Sequence, residues 1–199
     1  MNSIEEEAKA FDSQIDERIK NGHIPDLRYA TKCDYFYNNP WRHPEYVKLD
    51  FVDQFNLISD SIKNEFPNKL TKDIRVLEIG CGPGYLCLEL ARAGYDVLGM
   101  DLSERCIEIA QEFANKDPHI GERGKLAYGV ADLFEFNPEQ KFDVVIFLGA
   151  LHHFRDQQKV MDSVKRLLNS EGIVIAHEPT RDRVTKGNAI FYDLLPIPS

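Results

Sequence analysis

The chain has few of the features that suit a protein to nucleic acids or membranes. Its 199 residues carry 33 acidic against 24 basic side chains, the formal net charge is −9, and Lys and Arg form no dense cluster. Because proteins that bind phosphate backbones normally present a basic surface, nucleic-acid partners are disfavoured. The longest apolar stretch, residues 144–151, is far too short to span a bilayer, so a membrane partner is not expected either.

Cysteine is also scarce. The four cysteines form no C-x-x-C pair, and the acidic N-terminus differs from the basic and then apolar start of an export signal. Both observations favour reduced thiols in a cytoplasmic protein. The cysteine spacings do not suit zinc, so we predict no metal site. The cysteines are Cys33, Cys81, Cys87 and Cys106.

The hydrophobic pattern predicts one compact domain built in two segments. Apolar residues recur every three or four positions in residues 4–19 and 51–66, which predicts two helices on either side of an aromatic-rich stretch. From residue 74 onward, apolar runs alternate with helical patterns, which is typical of a doubly wound α/β fold with a mainly parallel sheet. We therefore expect helices and an aromatic lid segment in residues 1–70, and an α/β core in residues 71–199.

The strands and helices of the core can be placed from the same pattern. The run at 142–148 is apolar on both faces, as expected for a strand covered by helices on both sides. The predicted strands are 74–79, 96–100, 125–129, 142–148 and 172–177, and the predicted helices are 85–93, 103–114 and 156–168.

The most informative stretch is the glycine turn that follows the first strand. Gly80, Gly82 and Gly84 alternate, so the backbone can turn tightly and a ligand can approach it closely. In a dinucleotide fingerprint the third glycine lies three residues after the second, but here that position is Tyr85. Glu78 places a carboxylate before the turn, where we expect it to face the mouth of the site. It would repel a pyrophosphate and attract a cation. The turn therefore predicts a nucleoside ligand that carries positive charge.

This stretch resembles the E/D-x-G-x-G-x-G motif of the class I S-adenosylmethionine-dependent methyltransferases. The resemblance implies a Rossmann-like methyltransferase fold in which Glu78, Cys81 and the three glycines hold S-adenosylmethionine, with S-adenosylhomocysteine as the product. The family's sheet normally ends with two further strands after the fifth, but only 22 residues follow His177. We expect this C-terminal strand pair to be lacking. Either the chain is a truncated fragment or the sheet is short. In both cases the fifth strand would be an edge that needs cover, for example by another subunit or a partner.

Two acids after later strands fit the same cofactor. Asp101 lies 21 residues beyond Gly80, the spacing of an acid that accepts from both ribose hydroxyls. It could instead cap the next helix, but Ser103 is better placed for that. The resemblance further implies that Leu102 packs against adenine, that Asp132 accepts from its amine, and that Leu133 offers its backbone N–H.

The segment after the fourth strand resembles the family's fourth motif. Because ligands of open α/β sheets lie beyond the carboxyl ends of the strands, this segment should face the transferred methyl group. The resemblance implies that Leu148 and Gly149 line the methionine portion. His152 or His153 could accept a proton from the nucleophile, since imidazole titrates near neutral pH. Alternatively, the histidines only order the loop.

Two further groups of residues are candidates for the substrate side. Glu178 and Arg181 follow the fifth strand. Glu178 could orient an amine or a hydroxyl and Arg181 could bind a carboxylate, or both could be solvated charges at a helix start. Three residues of the aromatic segment could close the pocket as a lid, or they could pack against the core. These lid residues are Tyr37, Trp41 and Arg42.

The set of motifs predicts an enzyme that moves a methyl group from S-adenosylmethionine to an O, N or C nucleophile of a small molecule. This in-line displacement mainly requires alignment of the reacting atoms in a water-free pocket, so no catalytic triad is expected. Two alternatives are a non-catalytic cofactor-binding subunit and an NAD(P)-dependent oxidoreductase.

Overall fold

The computed structural model describes residues 3–20 and 54–178, and its centre is a five-stranded sheet in which every neighbouring pair is parallel. The strand order is β3-β2-β1-β4-β5, so the winding direction reverses between β1 and β4. In open α/β sheets this reversal opens a crevice at the carboxyl ends of the strands. The strands are β1 (Arg75–Ile79), β2 (Asp96–Asp101), β3 (Leu126–Val130), β4 (Phe142–Leu148) and β5 (Leu168–His177).

Five α-helices accompany the sheet in the described ranges, each at a place where the apolar pattern predicts one. The turn at Gly84 starts one of them directly, and Ser103 caps the next by accepting a hydrogen bond from the Cys106 N–H at 3.0 Å. The helices are α1 (Ser3–Lys20), α2 (Gln54–Glu65), α3 (Tyr85–Arg92), α4 (Glu104–Asn115) and α5 (Gln157–Leu167).

One predicted boundary is wrong. Leu168 was expected to end a helix, with the fifth strand beginning at residue 172. Instead, the backbone at Leu168 is already extended, at φ −84° and ψ 145°, and this residue pairs with Phe142. Because α5 passes into β5 without an intervening loop, the strand starts four residues early, and its register shifts between Phe142 and Val144.

The core lies on both faces of the sheet, which confirms the doubly wound architecture. Val76, Val144 and Ile146 pack on one face against α2 and α3. Leu77, Val145 and Phe147 pack on the other face against α5. Both faces of β4 are therefore buried, as its unbroken apolar run predicts.

The N-terminal helices pack against this core at two places. Ile15 of α1 is buried against Cys106 and Ile109 of α4, while Ile58 and Ile62 of α2 join the cluster under α3. Residues 21–53 and 179–199 lie outside the described ranges, so the division at residue 70, the aromatic lid and the absence of a C-terminal strand pair stay predictions. None of the helices in the described parts is long and apolar enough to cross a membrane.

Candidate functional site at the carboxyl edge of the sheet

The glycine turn closes tightly over the end of β1. Gly80 and Cys81 both donate their N–H groups to the carbonyl oxygen of Met100 in β2, at 2.9 and 3.0 Å. Gly80 has φ +71°, and a Cβ at this position would lie 2.6 Å from the Cβ of Ala150, so only glycine fits. Gly82 has φ +51°, but a Cβ there would point into open space. The turn is therefore packed on the β4 side and open at Gly82, where a ligand can approach the backbone.

Asp101 joins this turn to the end of β2. Its Oδ2 accepts the N–H of Gly82 at 2.8 Å, and its Oδ1 accepts the N–H of Ser103 at 2.9 Å. A carboxylate has about four acceptor positions, so each oxygen can still accept a hydroxyl proton. The side chain lies at the carboxyl edge, partly exposed, where the sequence predicts a ribose-binding acid. The capping role belongs to Ser103, as expected.

Glu78 does not lie where the sequence predicts. It is only 3% exposed, and its Oε2 accepts the thiol proton of Cys87 at 2.9 Å. Because side chains alternate along a strand, Glu78 shares the face of Val76 and is covered by α3. Burial raises the pKa of Glu78 to about 7, although the hydrogen bonds from Cys87 act in the opposite direction. The prediction of a carboxylate at the mouth of the site is therefore wrong: Glu78 is a buried acid beneath the turn.

Leu102 and Asp132 come together at the side of the crevice formed by β2 and β3. They line a shallow cavity of about 400 Å³. One carboxylate oxygen of Asp132 accepts the N–H of Phe134 at 2.9 Å, which fixes the loop after β3. The Leu133 side chain is 2% exposed and packs into the core, so Leu133 can reach a ligand only through its backbone.

The loop after β4 is tied to the end of β5. Gly149, with φ +64°, donates its N–H to the carbonyl oxygen of His177 at 2.9 Å. Glu178 accepts the N–H groups of Ala150 and Leu151 on Oε1, at 2.8 and 2.7 Å. Its Oε2 lies 2.6 Å from Nδ1 of His152. Thus Glu178, predicted as a solvated or substrate-binding acid, is the residue that fixes this loop.

The electrostatics of this loop favour an ionised Glu178. Partial burial acts to raise the pKa of Glu178, but the hydrogen bonds from His152, Leu151 and Ala150 outweigh it and hold the pKa below its usual range. The His152 and His153 rings lie 4.2 Å apart between centroids, and the His153 ring forms a T-shaped contact with the Phe11 ring of α1, with centroids 5.4 Å apart. The structure therefore brings both predicted histidines to the carboxyl edge.

The sequence did not predict the roles of two residues at the site. Tyr128 in β3 donates its hydroxyl proton to the carbonyl oxygen of Gly84 at 2.8 Å, and its ring fills the space beside Gly99. Only the pairing of Tyr128 with Gly99 indicates this role, and that pairing cannot be predicted without knowing the register of β2 and β3. Asp12 of α1 accepts the Ser103 hydroxyl proton at 2.5 Å across 91 residues, and no local pattern indicates that contact.

Several predicted residues cannot be compared with the structure. Tyr37, Trp41, Arg42 and Arg181 lie outside the described residues. Within the described ranges, no three potential metal ligands are grouped together.

A parallel sheet with this strand order, a glycine turn after β1 and an acid at the end of β2 is the arrangement with which open α/β domains bind nucleoside ligands at the carboxyl edge. Residues 52–193 match a protein family described as "Methyltransferase domain", and the chain belongs to that family. The resemblance seen in the glycine turn is thereby confirmed.

Individual relatives agree with this assignment. The chain is 30% identical over 129 residues to a ubiquinone biosynthesis O-methyltransferase of Pelagibacter ubique, covering 65% of this chain and 49% of that protein. It is 28% identical over 157 residues to the mitochondrial ubiquinone biosynthesis O-methyltransferase of Saccharomyces cerevisiae, covering 74% of this chain and 48% of that protein. The chain thus spans about half the length of these curated relatives.

A solved structure supports the fold. The magnesium protoporphyrin IX methyltransferase of Synechocystis PCC 6803, crystallised with S-adenosylmethionine, superposes with a TM-score of 0.59 at 19% identity and covers 85% of this chain and 73% of that one. The predicted Rossmann-like methyltransferase fold is therefore confirmed. Neither the oxidoreductase nor the non-catalytic alternative finds support among these proteins.

Proposed function

We propose that the protein uses S-adenosylmethionine to methylate a small molecule, with the cofactor held across the glycine turn. The observation that carries the proposal is the Asp101 carboxylate at the end of β2, which grips Gly82 while keeping acceptor positions for a ribose. The open approach at Gly82 fits a nucleoside close to the backbone. When bound, S-adenosylmethionine would supply a methyl group activated by the positive sulfur.

Each part of the crevice would contact a different part of the cofactor. We assign the turn residues Gly80, Cys81, Gly82 and Gly84 to its amino-acid end. The shallow cavity at Leu102 and Asp132 suits adenine, with the Leu133 backbone as a further donor, because a buried amine needs an acceptor. Leu148 and Gly149 would line the methionine portion. A direct contact from Glu78 stays a prediction, since its carboxyl lies beneath the turn.

The acceptor atom is proposed to be an oxygen. Two of the relatives that resemble this chain are named as O-methyltransferases, which favours oxygen over nitrogen or carbon. The loop at residues 149–153 follows β4 at the carboxyl edge, beside the proposed methyl position, and each of its two histidines carries a ring that can accept a proton. Tyr37, Trp41, Arg42 and Arg181 are proposed to complete the substrate side.

We infer a reducing compartment such as the cytoplasm for the protein. Cys81, Cys87 and Cys106 are all buried free thiols, and burial raises the pKa of Cys106 to about 11. Thiols of this kind are typical of proteins kept in a reducing environment.

Calorimetric titration with S-adenosylhomocysteine tests the cofactor assignment. Asp101→Ala removes the proposed ribose acceptor, so we expect binding to weaken about 10- to 100-fold, the range for hydrogen bonds to a charged group. Asp96→Asn is the matched control, because Asp96 begins the same strand and its carboxylate faces Arg75 at 3.5 Å, away from the crevice. Unaltered affinity of the Asp101 variant would remove the ribose assignment. A folded wild-type protein that takes up no S-adenosylhomocysteine would refute the proposed function.

A further inference from the structure

Glu178 and His152 form a fixed carboxylate–imidazole pair at the carboxyl edge of the sheet. Glu178 Oε2 lies 2.6 Å from His152 Nδ1, while Oε1 accepts two consecutive backbone N–H groups, from Ala150 and Leu151. The carboxylate thus bridges the end of β5 and the loop after β4 through three hydrogen bonds. Since both of its oxygens are engaged, it cannot rotate away from the imidazole without losing the others.

This contact determines the tautomer of His152. An ionised carboxylate has only acceptors, so Nδ1 must carry the hydrogen of the shared bond. The neutral ring then keeps its lone pair on Nε2, where it can accept a proton from another molecule. The His152 side chain is 43% exposed, so an acceptor molecule can reach the ring.

His153 lies in a different environment although it is the next residue. Its ring lies 4.2 Å from that of His152 and meets the Phe11 ring edge-on at 5.4 Å. Within residues 3–20 and 54–178, no carboxylate forms an ion pair with the His153 ring, in contrast to His152. The two histidines that the sequence leaves equivalent are therefore distinct in the structure.

We propose that His152 is the general base of the reaction, that Glu178 is its positioning residue, and that the acceptor is a hydroxyl group. This inference rests on the proposed function. A phenolic hydroxyl has a pKa of about 10 and is neutral at pH 7, so it gains nucleophilicity when a base removes its proton. An amine that is already neutral would not need this base, which is why the pair indicates oxygen.

The proposed step balances. The acceptor oxygen forms a bond to the methyl carbon while the carbon–sulfur bond breaks and its electron pair stays on sulfur. The hydroxyl proton moves to Nε2 of His152, and the resulting imidazolium is stabilised by the ionised Glu178. Water later takes this proton and restores the neutral ring. Among the described residues, the groups that contact the imidazole are Glu178, directly after β5, and His153 from the same loop.

Two conservative variants distinguish loss of the proposed base from loss of the loop structure. In His152→Asn the side-chain amide can still donate to Glu178, but the base is gone. In Glu178→Gln the amide oxygen can still accept from Ala150 and Leu151, while its NH₂ faces Nδ1. The imidazole then carries its hydrogen on Nε2, the wrong tautomer for a base. His119→Asn is the control, because His119 is exposed and lies in the turn after α4.

The first readout is the ¹⁵N NMR spectrum of the histidines with S-adenosylhomocysteine bound. The signals lost in His152→Asn assign the ring. We expect wild-type His152 as the Nδ1–H tautomer, Glu178→Gln to convert it to Nε2–H, and His119→Asn to leave it unchanged. A neutral wild-type ring that carries its hydrogen on Nε2, or a tautomer that Glu178→Gln does not change, would refute the proposal that Glu178 positions His152.

The second readout is turnover of a panel of simple phenols and catechols with S-adenosylmethionine. We expect His152→Asn to lower kcat about 100-fold, a typical contribution of a general base. Glu178→Gln should also lower kcat, with the KM for the cofactor unchanged, because the positioned base is lost while the cofactor site is untouched. Variants as fast as wild type, or no methylation of any hydroxyl although S-adenosylhomocysteine binds, would contradict this inference alone. Absence of cofactor binding would instead refute the proposed function.

Discussion

At the scale of single residues, the unusual group is Glu78. A carboxyl that is 3% exposed at the end of a core strand is costly when ionised, and a thiol is a weak donor to stabilise it. Burial therefore raises its pKa to about 7 from the usual 4.5. The folded protein holds a proton there that the unfolded chain has already lost, throughout the interval between these two values.

This shift predicts a pH-dependent stability. Because the folded-state pKa lies above the unfolded one, the free energy of unfolding should fall as pH rises from 4.5 to about 7, by about 3 kcal/mol in all. Glu78→Gln should lack this dependence, since its side chain does not titrate. Urea unfolding of both proteins at pH 5 and pH 8 measures the difference. Equal losses of stability in the two proteins would show that Glu78 titrates normally.

At the scale of elements, β5 forms an edge of the sheet in the described ranges, where it pairs with β4 only. Val174 on this strand is 39% exposed. Uncovered edge strands invite pairing with another chain. Cover of this edge by another subunit or a partner, which the sequence suggests, stays a prediction.

Light scattering of the purified protein tests the version of this prediction in which a second copy of the protein covers the edge. We expect the mass of a dimer for wild type and the mass of a monomer for Val174→Lys, because a charge on an edge strand opposes pairing. Gln111→Lys, which adds the same charge on the exposed face of α4, should stay dimeric. A monodisperse wild-type monomer would contradict the proposed contact.

The elements also show what the sequence could predict. The apolar run of β4 and the cap at Ser103 depend only on neighbouring residues in the sequence. Both predictions are therefore confirmed at the residues expected. The start of β5 at Leu168 depends on pairing with Phe142, and no glycine or proline before Gly172 marks it. The burial of Glu78 and the contact of Asp12 with Ser103 depend on which helix covers which face, and that information is not local.

At the scale of the whole molecule, the reversal of strand order gathers the ends of β1, β2 and β4 beside one crevice. The glycine turn, Asp101 and the loop with His152 come from separate parts of the chain but meet at this edge. Helix α1 also contacts this edge at two places. Asp12 accepts a hydrogen bond from Ser103 at the start of α4, and the Phe11 ring packs against His153. A single ligand lying along the edge could therefore contact all of these groups.

A crystal structure of the protein with S-adenosylhomocysteine tests the central claim most directly. We predict that the ribose hydroxyls lie within hydrogen-bonding distance of Asp101, that adenine rests between Leu102 and Asp132, and that the sulfur lies beside Gly149. A ligand bound elsewhere, or one in this crevice whose ribose does not contact Asp101, would contradict the account.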